Sequence, residues 1–163
     1  GGAWLPGLND SKKVAPERRQ KLAGLIKDRA VAWSVAIVDV DYIDQHNIRQ
    51  ASLEAMRRAV RGLSVLPEFL LVDGMSIPEL KLAQAAIIRG DSRSASIAAA
   101  SILAKVMRDE LMAAYDKVYP VYGFFQHKGY ATPQHLKALA RFGPSPIHRW
   151  SFAPVREAAG EVK

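Results

Sequence analysis

Two aspartates that each follow a short apolar run are the residues of this sequence best suited to chemistry. The run 69–72 is followed by Asp73–Gly74, and the run 85–88 is followed, one residue later, by Gly90–Asp91. Unbroken apolar runs of this length are typical of parallel strands that are covered on both faces. Because ligands of open α/β sheets bind beyond the carboxyl ends of the strands, we expect both aspartates to project into a functional site. The alternative is that both dipeptides serve only as turns.

A long helix is predicted directly after Asp91, over Ser94–Tyr119. Its first turns, Ser96–Ser101, consist mainly of small residues that let a helix lie close to a sheet. The N-terminus of a helix carries partial positive charge, which stabilises a nearby exposed carboxylate or phosphate by roughly 0.3–1 kcal/mol. We therefore expect anionic groups to be favoured beside Asp91.

The elements before the first aspartate are predicted from hydrophobic periodicity. A helix is expected from Pro16 to about Ala30, because proline suits the first helical position. A β-branched, alternating run predicts a strand over Val31–Val40. An amphipathic helix is expected from about Ile43 to Leu63. The predicted buried stripe of the first helix consists of Leu22, Leu25 and Ile26.

After the long helix, an aromatic loop over Tyr122–Tyr130 precedes a short helix. The short helix is predicted from Thr132 as its cap, Pro133 at its first position and a stop at Gly143–Pro144. Its apolar residues Leu136 and Leu139 are expected to lie inside. The loop itself mixes aromatic faces with a histidine and a lysine, which suits stacking on sugars or bases beside phosphate contacts. The equally weighted alternative is a surface loop that aromatic anchors hold in place.

Basic residues and histidines give two further indications. Lys12 and Lys13 lie in a polar turn, where they suit phosphate contact as point charges, although a solvated turn is the simpler interpretation. His127, His135 and His148 do not have the spacing of metal ligands, so a histidine metal site is not predicted.

Composition limits the class of protein. The chain has 163 residues, of which 49% are hydrophobic, and a formal charge of +7. This length suits one domain over residues 1–163, and the charge suits a nucleic-acid partner. The absence of cysteine excludes disulfides and zinc-thiolate sites. Apolar runs are too short for a membrane span, so we expect a cytoplasmic protein with no membrane partner. The sequence does not indicate which oligomeric state the protein has.

The sequence resembles bacterial ribonuclease HII over essentially its whole length. The resemblance depends on several motifs in a fixed order, above all the alanine- and serine-rich helix and the histidine-lysine-glycine-tyrosine block. The matching segments are Leu8–Lys13, Leu71–Gly74, Gly90–Ser92, Ile97–Asp109, His127–Tyr130, His148–Arg149 and Ser151–Phe152.

This resemblance implies an α/β, ribonuclease H-like fold with a mixed sheet flanked by helices. It implies an endonuclease that cuts the RNA strand of RNA/DNA hybrids and ribonucleotides embedded in duplex DNA, with a role in replication and repair. Asp73 and Asp91 resemble the family's catalytic, metal-binding aspartates, whose cofactor is Mn²⁺ or Mg²⁺. Two such cations can activate water and stabilise the leaving oxygen. The implied substrate-binding residues are Tyr130, Lys12, Lys13, His127 and Lys128.

One family motif is not present in this sequence. Members carry an Asp-Glu-Ala-Gly-Arg-Gly segment that supplies two further acids and grips the ribonucleotide. We therefore expect an N-terminally incomplete ribonuclease H-like domain with little or no turnover from these residues alone. The alternatives are a nucleic-acid-binding remnant without catalysis and an inactive gene fragment.

Overall fold

A computed structural model describes residues 11–160, so residues 8–10 of the predicted basic turn lie outside the described residues. The described chain divides into two compact units, residues 11–36 with 53–107 and residues 37–52 with 108–160. The prediction of a single domain over residues 1–163 stays a prediction. The described elements are α1 (Pro16–Arg29), α2 (Val40–Arg61), β1 (Phe69–Asp73), β2 (Ala83–Ile87), α3 (Ala95–Val118), α4 (Phe124–His127), α5 (Pro133–Phe142) and α6 (Ala153–Ala158).

The first unit contains a parallel pair of strands. Phe69 of β1 lies opposite Ala83 of β2, and the register continues until Asp73 lies opposite Ile87. The inner face of β1 packs against Met56 and Val60 of α2. This register brings the carboxyl ends of both strands to one edge of the sheet.

The sheet differs from the prediction in its strands and in its burial. Within residues 11–160 it has two parallel strands, whereas the prediction was a mixed sheet of parallel and antiparallel strands. Burial alternates along β1, because Phe69 and Leu71 are 53% and 43% exposed while their neighbours are buried. The prediction that both faces are covered is therefore wrong for β1. The second strand also begins at Ala83, two residues before the predicted apolar run.

The predicted strand over Val31–Val40 does not form, and α2 already begins at Val40. Residues 31–39 have no regular structure, and Val31 is 88% exposed. A strand exists only where a neighbouring strand accepts and donates its backbone hydrogen bonds, and no strand among the described residues pairs with this segment. The segment instead borders an apolar groove of about 770 Å³, together with residues of α1, α2, β1 and α3.

Helix α1 packs against the N-terminal half of α3 in the first unit. Leu22 and Ile26 of α1 join Ile102 and Val106 of α3 in one buried cluster. Leu25, predicted to be inside, is 40% exposed. The bounds of α1 and α3 agree with the prediction to within one residue.

The second unit is organised around α5. Thr132 caps this helix, because its hydroxyl accepts a hydrogen bond from the backbone N–H of His135 at 3.3 Å, and the helix ends before Gly143. Leu139 is 1% exposed and packs with Tyr122 and Val155. These predicted features of α5 are confirmed, whereas Leu136 is 38% exposed and lies outside the core.

Helix α2 is interrupted at Asn47, which has φ 72° and ψ 164°. The side-chain oxygen of Asn47 accepts hydrogen bonds from the backbone N–H groups of Arg49 and Gln50 at 3.0 and 3.1 Å. Asparagine thus starts the next helical segment as an N-cap.

None of the helices within residues 11–160 combines the length and the apolar character needed to cross a membrane.

Candidate active site

The two predicted aspartates are linked at the carboxyl edge of the sheet. Asp73 is the last residue of β1, and one of its carboxylate oxygens accepts a hydrogen bond from the backbone N–H of Gly90 at 2.8 Å. Gly90 directly precedes Asp91 in a 3-10 turn before α3. The Asp73 carboxylate therefore fixes the turn that carries Asp91.

A pocket of about 370 Å³ lies at this edge. Its lining brings together three of the residues predicted from the sequence, with two that were not: Lys13, Asp73, Arg89, Asp91 and Ser92. The lining thus contains two carboxylates, two cationic side chains and one hydroxyl. Carboxylates suit a hard cation, and lysine and arginine suit a phosphate, so this pocket has groups for both parts of a metal-bound phosphate.

Two backbone features shape the turn between β2 and α3. Arg89 has a φ of 54°, a left-handed conformation that non-glycine residues seldom adopt. Gly90 is buried, and a Cβ built there would overlap the side chain of Ile97. The close approach of the Ile97 side chain of α3 therefore favours glycine at position 90, so packing as well as turn chemistry suits the Gly90–Asp91 dipeptide.

The turn that carries Lys12 and Lys13 is held from both sides within the first unit. The Arg19 guanidinium donates hydrogen bonds to the carbonyl oxygens of Ser11 and Val14 at 2.9 and 2.8 Å. The hydroxyl of Ser11 lies 2.9 Å from that of Ser101 on α3. Both lysine side chains are exposed on this anchored turn, and the pocket includes Lys13.

A second group of predicted residues lies in the other unit, on the loop after α4. Tyr130 is 56% exposed, and the Arg108 guanidinium lies 4.8 Å from the centre of its ring. Arg108 also donates a hydrogen bond to the carbonyl oxygen of Lys128 at 2.8 Å. The ammonium group of Lys128 lies over the ring of Phe125, at 4.3 Å. Tyr130 thus presents an aromatic surface whose ring and supporting turn are both held by α3.

His127 has a different position from the one expected of a substrate-binding residue. Its side chain is 6% exposed, and both ring nitrogens are engaged by the backbone. Nε2 donates to the carbonyl oxygen of Tyr122 at 2.7 Å, and Nδ1 accepts from the N–H of Gly129 at 3.2 Å. His127 therefore holds the loop together, and its contact with substrate stays a prediction.

The structure assembles three histidines that sequence spacing did not connect. The rings of His127 and His135 stack with centres 4.3 Å apart, and Nε2 of His135 lies 3.0 Å from Nε2 of His148. Burial is the main cause that lowers the pKa of His135, and it lowers the pKa of His148 to about 4. Only the packing of α5 with α4 and with the loop after α5 creates this cluster, so no local signal reveals it.

The described residues provide few ligands for a metal. Among residues 11–160, no group of three or more histidine, aspartate or glutamate side chains has the arrangement of a metal site. The donor chemistry of Asp73 and Asp91 nevertheless fits Mg²⁺, which is often bound by one or two carboxylates together with water and substrate phosphate.

Several proteins similar to this chain are named ribonuclease HII. The family model described as Ribonuclease HII matches residues 5–155. A ribonuclease HII from Solibacter usitatus is 59% identical over 93% of this chain and 66% of its own length. A ribonuclease HII from Geobacter sulfurreducens is 55% identical over 99% of this chain and 75% of its own length. For other relatives from Pelotomaculum thermopropionicum and Desulfitobacterium hafniense, the chain spans only 60% and 59% of their length.

The fold has a counterpart among solved structures. The crystal structure of the ribonuclease H2 from Pyrococcus horikoshii OT3 matches 94% of this chain and 81% of that protein, with a TM-score of 0.82 and 22% sequence identity. This likeness confirms the predicted α/β, ribonuclease H-like fold. Because the family model covers most of the sequence and the relatives agree with it, the chain belongs to the ribonuclease HII family.

Proposed function

We propose that this chain acts as a metal-dependent endonuclease on ribonucleotides in RNA/DNA hybrids and in duplex DNA. The observation that supports it best is the shared pocket of Asp73 and Asp91 beyond the carboxyl ends of two parallel strands, in a chain of the ribonuclease HII family. The proposed reaction hydrolyses the phosphodiester on the 5′ side of a ribonucleotide and leaves a 3′-hydroxyl. We infer a cytoplasmic role in DNA replication and repair for this activity.

Asp73 and Asp91 are the proposed ligands of Mg²⁺ or Mn²⁺. When bound, such a cation would polarise the phosphate and lower the pKa of a bound water. Two carboxylates fit one hard cation, and a second cation would need acids other than these. The hydrogen bond from Gly90 to Asp73 orients this carboxylate before any cation binds.

The basic and aromatic residues are assigned to the substrate. Lys13 and Arg89 line the same pocket as the aspartates and would neutralise the scissile phosphate. Lys12 and Lys128 are each assigned to phosphates of the substrate. The exposed ring of Tyr130 is the proposed stacking surface for a ribose.

Metal binding gives the first test, because it does not require turnover. The chain should remove free Mn²⁺ from solution, as measured by electron paramagnetic resonance. Asp73→Asn and Asp91→Asn should each weaken this binding at least tenfold, in the range expected for loss of a charged ligand. Asp28→Asn, on the exposed face of α1, is a control that removes the same charge. Equal binding by all four proteins would contradict the assignment.

Cleavage of a duplex with one embedded ribonucleotide gives the second test. We expect little or no hydrolysis from these residues alone, because the family's Asp-Glu-Ala-Gly-Arg-Gly motif is not in this sequence, and any Mn²⁺-dependent hydrolysis should be lost in Asp73→Asn. Equal hydrolysis by wild type and Asp73→Asn would contradict the proposed role of Asp73. Salt-dependent binding without hydrolysis would favour the alternative of a nucleic-acid-binding protein without catalysis.

A further inference from the structure

We propose that His135 and His148 form a neutral hydrogen-bond relay that positions Tyr130, which makes His135 a positioning residue for substrate binding. This inference rests on the proposed function, in which the exposed ring of Tyr130 contacts the ribose. The relay begins at the backbone of Ser145 and ends at the backbone of Tyr130.

The order of donors and acceptors fixes the tautomer of His148. The backbone N–H of Ser145 donates to Nδ1 of His148 at 2.9 Å, and the Ser145 hydroxyl also lies 2.8 Å from this nitrogen. A backbone N–H can only donate, so Nδ1 carries no hydrogen. The hydrogen of neutral His148 is therefore on Nε2, which points at His135.

The same argument fixes the tautomer of His135. Its Nε2 lies 3.0 Å from Nε2 of His148 and must accept that hydrogen. The hydrogen of His135 is then on Nδ1, which donates to the carbonyl oxygen of Tyr130 at 3.0 Å. Protonation of either accepting nitrogen would place two hydrogens face to face, so the relay requires both rings to be neutral.

The relay ends on the backbone carbonyl of Tyr130, the residue that carries the exposed ring. Tyr130 also receives a hydrogen bond from the N–H of Thr132 at its carbonyl, and its own N–H donates to the carbonyl of His127. His135 is 2% exposed, so its ring has little freedom to move. The backbone of Tyr130 is thus fixed from α5, while Arg108 contacts its ring from α3.

Burial and neighbouring rings support the neutral state. His148 is 7% exposed, and its ring lies among those of Tyr122, Phe124 and His135. Transfer of a charged imidazole into such surroundings is unfavourable. The lowered pKa values of His135 and His148 agree with rings that stay neutral at pH 7.

A matched pair of amide variants distinguishes a role of His135 in positioning Tyr130 from a role in the stability of the fold alone. His135→Asn keeps an N–H donor near the position of Nδ1, so it can still hold the Tyr130 carbonyl. His135→Gln places its amide near the position of Nε2, so it keeps the contact with His148 and loses the contact with Tyr130. The two amides differ from each other by one methylene.

Affinity for an RNA/DNA hybrid is the first readout for this pair. His135→Gln should weaken binding about five- to tenfold, as for one lost hydrogen bond, and His135→Asn should weaken it less. In a Tyr130→Ala background the effect of His135→Gln should disappear, because the residue acts through Tyr130. His46→Gln, on the exposed surface of α2, is the control. Equal losses in both amide variants that persist in the Tyr130→Ala background would overturn the proposal.

The second readout needs neither a variant nor a substrate. Two-bond ¹H–¹⁵N correlations of the wild-type imidazoles should show His135 with its hydrogen on Nδ1 and His148 with its hydrogen on Nε2, at pH 7. The reverse tautomers, or protonated rings, would overturn the relay even if every variant failed to fold. If the wild-type chain binds no hybrid, the proposed function fails, and the tautomer signals alone then decide the relay.

Discussion

Individual residues of this chain gain their chemistry from the backbone groups that surround them. Asp73 shows this most simply, because its carboxylate accepts the N–H of Gly90 and thereby connects the end of β1 to the turn before α3. His148 shows it in a buried setting, where the N–H of Ser145 dictates which ring nitrogen carries the hydrogen. Identity alone would not distinguish these residues from other aspartates and histidines in the sequence.

The lowered pKa of His148 predicts a loss of stability at mildly acidic pH. The ring has a pKa of about 4 in the folded chain and about 6.5 when unfolded, so the unfolded state binds more protons between these values. Stability should be complete above pH 6.5 and fall by about 2–3 kcal/mol as the pH falls to 4. The measurement is the free energy of unfolding in urea across this range.

A variant isolates the contribution of His148 from that of the carboxylates. His148→Asn has no titratable ring, so its free energy of unfolding should change less between pH 6.5 and 4, although it is lower at pH 7. An identical change in wild type and variant would contradict the assignment of this loss to His148.

The elements of the chain differ in how clearly their ends are encoded. Helix α5 has a capping threonine, a proline at its first position and a glycine after its last residue, and the sequence predicted its bounds closely. Helix α1 begins after Ala15, whose side chain makes no capping hydrogen bond. Its start was predicted from Pro16 at the first helical position. Periodicity was less reliable about burial, because Leu25 and Leu136 each lie at a plausible apolar position and are exposed.

The two leucines of α5 should respond very differently to the same substitution. Leu139→Ala removes a side chain that is 1% exposed and should lower the free energy of unfolding by about 2–5 kcal/mol. Leu136→Ala removes one that is 38% exposed and should cost less than about 1 kcal/mol. Chemical denaturation of both variants measures this difference. Equal costs would show that Leu136 belongs to the core.

Charge is the property that belongs to the whole molecule. The sequence carries a formal charge of +7, while the two proposed metal ligands are acidic. Positive charge attracts the nucleic-acid backbone over long distances, and carboxylates act only at short range through a bound cation. The proposed function needs both, and basic side chains and aspartates line one pocket.

Hybrid binding should therefore depend strongly on salt. The slope of log affinity against log salt concentration should decrease in magnitude by about 1–2 when Lys12 and Lys13 are both changed to glutamine. A control pair, Lys21→Gln with Lys81→Gln, removes the same charge from exposed positions that do not line the pocket. Titration of a labelled hybrid at several salt concentrations measures both slopes. Equal decreases in the two pairs would mean that the lysines contribute only to the net charge.

The sequence by itself determined the family, the class of fold and the bounds of α1, α3 and α5. These depend on local signals and on motif order, and the family model and relatives confirm the identification. It also identified Asp73 and Asp91, whose roles remain predictions, because apolar runs that end in aspartate are visible without coordinates.

Only the tertiary structure decided which predicted elements obtained partners. The segment 31–39 has a strand-like sequence but no neighbouring strand among the described residues, so it stays irregular. His127, His135 and His148 are separated along the chain, and packing alone brings their rings together. The physical reason is the same in both cases, since pairing and burial depend on residues that are distant in sequence, which local patterns do not specify.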